Sequence, residues 1–184
     1  VAKGINGIWN ILSKETFTGY FGEQKNLVAG ARYRPLSLVS FAIEHSIFGK
    51  KPGISHFINI LLYALCGWFF YRLIINLKIV ADKNAGIYLA FIASLLFIAH
   101  PIHSEAVANI KGRDEIMCLL FSLIALFQFI QYYDSKQLSN IWIASISFFL
   151  ALLSKENAIT YLAIVPLTLV VFRNVTLFSA IRKT

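Results

Sequence analysis

Apolar positions in this chain come in long blocks separated by short polar breaks. The blocks begin near Phe57, Ala85, Ile116, Leu138 and Ala158. They predict helical spans near 56–77, 85–99, 116–133, 138–153 and 158–173. The first has the roughly 20 residues needed to cross a hydrocarbon layer of about 30 Å. The second, fourth and fifth are shorter, so tilt, local thinning or buried flanking polar residues are expected to complete them. In the first block Asn59 is expected to face protein, and Arg72 to reach out to the interface.

Ahead of these blocks the pattern changes. Ile5, Ile8, Trp9 and Leu12 recur at helical spacing and predict a short amphipathic helix, after which Gly19, Gly22 and Gly30 punctuate a loop. In the next stretch Pro35 suits a first helical turn and Gly49 a helix stop. Between them Leu36, Val39, Ile43 and Ile47 form one stripe, with Ser37, Ser40 and Glu44 off it. That pattern predicts a helix lying on the membrane interface. The alternative is the core helix of a small soluble subdomain. Residues 1–55 therefore form one expected region, an extracytoplasmic loop with interfacial amphipathic helices, and 56–184 a second, the transmembrane bundle.

Composition supports this division. The chain of 184 residues is 58% hydrophobic with a mean hydropathy of +0.67, above the roughly 45–50% apolar content of soluble domains. The fold class expected is an all-α polytopic membrane helix bundle of about five transmembrane helices. The net charge of +8 is spread over loops and segment ends without a stripe. Membrane lipid is the expected partner and nucleic acid is not. Cys66 and Cys118 both fall inside apolar blocks and read as small buried hydrophobes. The chain starts at Val1 and ends just after an apolar block, so it reads as a fragment of a longer protein.

If the spans alternate, residues 1–55, the island 99–115 and residues 154–157 share one side. The opposite side carries Arg72, Lys78, Lys83, Lys136, Arg173, Arg182 and Lys183, and the positive-inside rule makes it cytoplasmic. The first side is then periplasmic or luminal. It collects Arg32, Arg34, Glu44, His45, His56, His100, His103, Glu105, Arg113, Asp114, Lys155 and Glu156. Ionisable groups at membrane depth usually mark a site, and segments converging on one face suggest a pocket between helices.

Within this set, His100, His103 and Glu105 are of the types that bind zinc. Pro101 breaks helical spacing and no fourth ligand is evident. No metal and no cofactor is assigned, with a divalent metal left open. The other readings of the histidines are a turn bonded to nearby backbone and a substrate-facing rim. Lys111, Arg113 and Lys155 suit an anionic head group, as do Arg32 and Arg34. The competing reading pairs the first three with Asp114, Glu115 and Glu156, and leaves the two early arginines simply reaching to the interface.

Four segments then carry a resemblance. They are Arg32-Tyr-Arg-Pro-Leu-Ser, His56-Phe-Ile-Asn-Ile-Leu-Leu-Tyr, His100-Pro-Ile-His-Ser-Glu-Ala-Val-Ala-Asn-Ile-Lys-Gly-Arg-Asp-Glu and Leu153-Ser-Lys-Glu-Asn-Ala-Ile-Thr. In order and spacing the chain resembles the transmembrane and TPR repeat-containing proteins, GT-C glycosyltransferases related to protein O-mannosyltransferases. The resemblance implies a GT-C-like enzyme that takes a sugar, mannose being the one expected, from a polyprenyl-phosphate lipid. The acceptor would be a protein hydroxyl or a glycan on the extracytoplasmic side. It implies donor-phosphate contacts at Arg34, Arg113 and Lys155, and an active-site rim of His100, His103, Glu105, Asp114 and Glu156. The general base would belong to an acidic pair upstream of Val1, and a TPR domain would lie downstream. On that reading the fragment alone is inactive. The rival readings are a transporter bundle and a non-catalytic membrane anchor or assembly module.

Overall fold

Pro35 and Gly49 bracket a helix as their chemistry demands. Pro35 opens it, and Gly49 closes it at φ 72°, donating its N–H to the carbonyl of His45. In this computed structural model the described residues are 4–13 and 34–176. The glycine loop, Arg32 and the tail with Arg182 and Lys183 lie outside them.

A 3-10 turn at Gly4–Gly7 leads into the short α1, Ile8–Ser13. The longer helices are α2 (Pro35–Phe48), α3 (Pro52–Leu77) and α4 (Lys83–Ala99). The island then folds as a 3-10 turn at Pro101–His103, the short α5 (Ser104–Ala108) and a second 3-10 turn at Ile110–Gly112. There follow α6 (Arg113–Ser135), α7 (Leu138–Ser154), a 3-10 turn at Glu156–Thr160, and α8 (Tyr161–Arg173). No strand occurs among the described residues.

Helices occupy all five expected blocks, with shifted boundaries: the first starts at Pro52 rather than His56, inside the expected 1–55 region, and the fifth opens as a 3-10 turn with its α-helix starting at Tyr161. The third starts at Arg113 rather than Ile116, which brings Asp114 and Glu115 into its first turn. Carboxylates there meet the positive end of the helix dipole. Among the described residues three stretches are long and apolar enough to cross a membrane: Pro52–Leu77, Ile110–Ser135 and Glu156–Arg173. Lys83–Ala99 and Pro101–Ala108 qualify together as a pair bent by 49°, and Leu138–Ser154 is shorter.

The packing is that of a bundle solvated by lipid. α6 is the central helix, with Ile116, Leu120, Leu123, Phe127 and Ile130 all in the main core cluster. The outer helices turn small or polar residues toward it. On α7 these are Ala144, Ser147, Ala151 and Ser154, while Trp142, Ile146 and Phe149 face out. On α3 they are Ser55, Asn59 and Cys66, while Phe57, Leu61 and Trp68 face out. Small side chains let backbones approach, and outward apolar ones cost nothing in hydrocarbon. The protein is an all-α membrane helix bundle. Asn59 is fully buried, as expected, and Arg72 is exposed with its guanidinium over the Trp68 ring.

The burial pattern of α2 bears on the choice left open for it. Its polar face is the buried one: Ser37 and Glu44 are inside, while Ile43 and Ile47 are exposed. A soluble core helix is expected to bury the opposite stripe.

Contacts also define the two ends of the bundle. At one end Arg173 donates to both carboxylate oxygens of Asp134, at 2.9 and 2.7 Å, and to the last carbonyls of α3 at Leu77 and Asn76. That single guanidinium ties together the ends of α3, α6 and α8. The other end gathers the island, α2 and the residues between α7 and α8.

Candidate functional site

At this second end the chain forms a cleft of about 800 Å³. Its walls come from the residue before α2, from α3, from the island and from the first turns of α6. Arg34, His103, Glu105 and Asp114 line it, together with Lys111 and Glu115. Four of the eight residues expected at the site therefore share one cavity, although they come from segments far apart in sequence.

The island adopts its shape for local reasons. The His100 ring accepts from the N–H of Ile102 at 3.2 Å, and the Asn109 side chain accepts from Lys111 N at 3.0 Å. These are the capping bonds that short polar residues make at turns. His100 thus follows the backbone-bonded reading. His103 instead joins an aromatic group, with ring centroids 4.7 Å from Phe97 and 5.8 Å from Tyr63. Among the described residues no three His, Cys, Asp or Glu side chains come together as a metal site. Gly112 is required by close approach: a Cβ there would collide with the backbone of Ala106.

The cations divide into three kinds. Arg34 donates to Asp114 and, at 3.1 Å, to Glu156. Its side chain is 17% exposed. Burial works to lower its pKa, but the hydrogen bonds and charges of Glu156 and Asp114 outweigh this and hold it above the ordinary value. Lys155 pairs with Glu115 across the start of α6. Lys111 has no carboxylate partner among the described residues and is exposed at the cleft wall.

Arg113 departs from the expected arrangement. It is fully buried and points away from the cleft, under α2. Its Nε donates to Asn59 Oδ1 at 2.9 Å, one terminal nitrogen to Ser40 Oγ at 3.3 Å, and the other to the Ser55 carbonyl at 3.1 Å. That last nitrogen also lies 2.7 Å from Glu44 Oε2, and the guanidinium carbon sits 3.9 Å from the Phe41 ring centroid. The carboxylate is further held by the Ser55 hydroxyl. The expected phosphate contact at Arg113 is therefore corrected: a phosphate would have to displace four partners to reach it. Its acid is also Glu44, not the neighbouring Asp114.

The sequence places Glu44 on this side and turns Asn59 toward protein, but it pairs neither with Arg113 and gives no role to Ser40, Ser55 or Tyr63. Glu44, Ser40, Ser55 and Asn59 form the Arg113 pocket, and Asn59 also donates to the carbonyl of Asn109 at 3.2 Å. Buried Asn59 thereby ties the island to Arg113. The signal available was an amide and a carboxylate facing away from lipid, whose partners cannot be read locally. Tyr63, whose hydroxyl donates to the Ile98 carbonyl at 3.1 Å, supplies the cleft wall on α3.

Over 141 residues the chain is 35% identical to the mouse protein O-mannosyl-transferase TMTC2, a stretch covering 72% of this chain and 16% of that protein. It is 36% identical over 138 residues to human protein O-mannosyl-transferase TMTC3, covering 72% of this chain and 14% of that one. The chain belongs to the transmembrane and TPR repeat-containing protein family. A nematode relative, protein O-mannosyl-transferase F38B6.6 of Caenorhabditis elegans, is 37% identical over 94 residues, covering 51% of this chain and 13% of its own. This family chain thus spans about one sixth of the relatives it matches. No family model and no solved structure matches it.

Proposed function

We propose that the protein carrying this chain is a multi-pass GT-C mannosyltransferase. It moves mannose from a polyprenyl-phosphate lipid to a protein hydroxyl, or to a glycan, on the extracytoplasmic side. The observation that carries the reading is the cleft at one end of the bundle, where a partly open Arg34 and Lys111, unpaired among the described residues, lie beside carboxylates. The relatives' names as protein O-mannosyl-transferases support the same chemistry.

In this reaction the acceptor oxygen attacks the anomeric carbon as the bond from that carbon to the phosphate oxygen breaks. The polyprenyl phosphate leaves with added negative charge, and a carboxylate takes the hydroxyl proton. Fixed cations near the leaving oxygen stabilise that charge as it develops, and the base must lie within hydrogen-bond reach of the hydroxyl. We assign the leaving phosphate to Lys111 and Arg34. Lys155 acts one step back by holding Glu115. His103, Glu105, Asp114 and Glu156 form the rim, with His100 shaping the turn beneath it. Arg113 is a positioning residue that locks α2 and α3 to the start of α6. The acidic pair that the family resemblance implies lies outside the described residues.

Residues 1–55 then lie on the extracytoplasmic side, with the outward stripe of α2 against the lipid boundary. The test is mannosyl transfer by the reconstituted full-length protein from polyprenyl-phosphate mannose. Lys111→Ala should raise the donor KM more than it lowers kcat. Absence of transfer, with substrate-dependent flux across the vesicle instead, would replace the enzyme reading by a transporter.

A further inference from the structure

Beside the cleft runs a second depression, a groove of about 430 Å³ between the C-terminal end of α2 and the start of α3. Its polar edge carries Lys50, Lys51 and Lys111, and its floor is made by Leu38, Phe41 and Ile110. All three lysines are exposed, and none has a carboxylate partner among the described residues. The acid in the groove, Glu44, is already consumed by Arg113 and Ser55. The groove is therefore a concentration of unbalanced positive charge over an apolar floor.

Its position tells what would fill it. Gly49, at φ 72°, reverses the chain after α2, and the turn closes with Lys51 N donating to the Gly49 carbonyl at 3.1 Å. This sets Lys50 and Lys51 directly ahead of Pro52, where a helix long and apolar enough to span a membrane begins. Around the groove Ile47, Phe48 and Phe57 are exposed at 64%, 46% and 65%. Lysines at the end of a span, ringed by outward apolar side chains, lie at head-group depth. An ammonium there is attracted by a phosphate, and an apolar floor beside it accommodates the first acyl carbons.

We propose that this groove binds the head group of an anionic phospholipid, as a site separate from the cleft and adjoining it through Lys111. The inference goes beyond the transferase reading, because lipid retention is measured without any transfer. The probe is the purified protein in nanodiscs of phosphatidylcholine with or without phosphatidic acid, followed by native mass spectrometry of the co-purified lipid. Retention of one phosphatidic acid is expected, with none of the phosphatidylcholine selectively held. Lys50→Gln combined with Lys51→Gln should weaken that retention at least about tenfold, since each lysine near the surface attracts anionic lipid appreciably. The two positions are exposed, so the pair should fold; Gly49→Ala, which strains the turn, is a second variant expected to reduce retention. Equal retention by the lysine variant, or equal retention of the zwitterionic lipid, overturns the proposal. Displacement of the lipid by millimolar inorganic phosphate would make this a free-phosphate site and overturns the lipid assignment.

Discussion

Arg34 and Arg113 are alike on paper and opposite in place. Both stand at the end of the bundle that holds the cleft, and both pair with carboxylates from other elements. Arg113 is wholly enclosed, with partners on α2 and α3 that leave no room for a ligand. Arg34 is partly open, sits on the cleft wall and is held by Asp114 and Glu156 from α6 and the turn after α7. The difference shows that a cation beside acids in the sequence is not thereby a site. What decides is whether its partners seal it from solvent. Arg173, at the far end, is about as open as Arg34, at 14% exposure, and its donors go to Asp134 and to the carbonyls that end α3.

The sharpest way to break the comparison is Arg113→Ala. It leaves Glu44 buried without its ion pair, which costs about 3–5 kcal/mol. A large fall in thermal midpoint in detergent is expected, with little folded protein recovered. Unchanged stability would mean that the pocket is not closed. Gly112→Ala comes next. The new methyl meets the Ala106 carbonyl, and overpacking of this kind costs about 1–3 kcal/mol. Both stability and donor use should fall, because the Ile110–Gly112 turn carries Lys111. Arg34→Ala is expected to cost about 1 kcal/mol, read from the same melting curves, while raising the donor KM. The smallest effect belongs to the lipid face. Ile47→Ala should shift stability by less than about 0.5 kcal/mol in detergent, and a larger loss would place α2 against protein instead.

The sequence made the spans, the helix stops and the buried Asn59 legible, because each depends on local chemistry. Apolar runs fix where helices lie, and Pro35 and Gly49 mark an end by their backbone preferences. The convergence of Arg34, His103, Glu105 and Asp114 could be expected from alternation of the spans. The burial of Ser37 and Glu44 on α2 could not, since the stripe of Ile43 and Ile47 alone does not say what the opposite face packs against. Nor could the fate of Arg113. Its partners Glu44, Ser55 and Asn59 lie more than fifty positions away in the chain, while an acid stands right beside it. Pairing across such distances follows from packing and leaves no local trace. The same reason leaves Lys111 without a carboxylate partner among the described residues: its neighbours Asp114 and Glu115 are taken by Arg34 and Lys155.

The central claim is that the cleft, and not the sealed arginine pocket, receives the donor phosphate. The direct test is the KM for polyprenyl-phosphate mannose in the reconstituted full-length protein with Lys111→Ala. Loss of a hydrogen bond to a charged group predicts a rise of about tenfold, with the melting temperature unchanged because Lys111 is exposed and unpaired. A donor KM equal to that of the unaltered protein would contradict the claim.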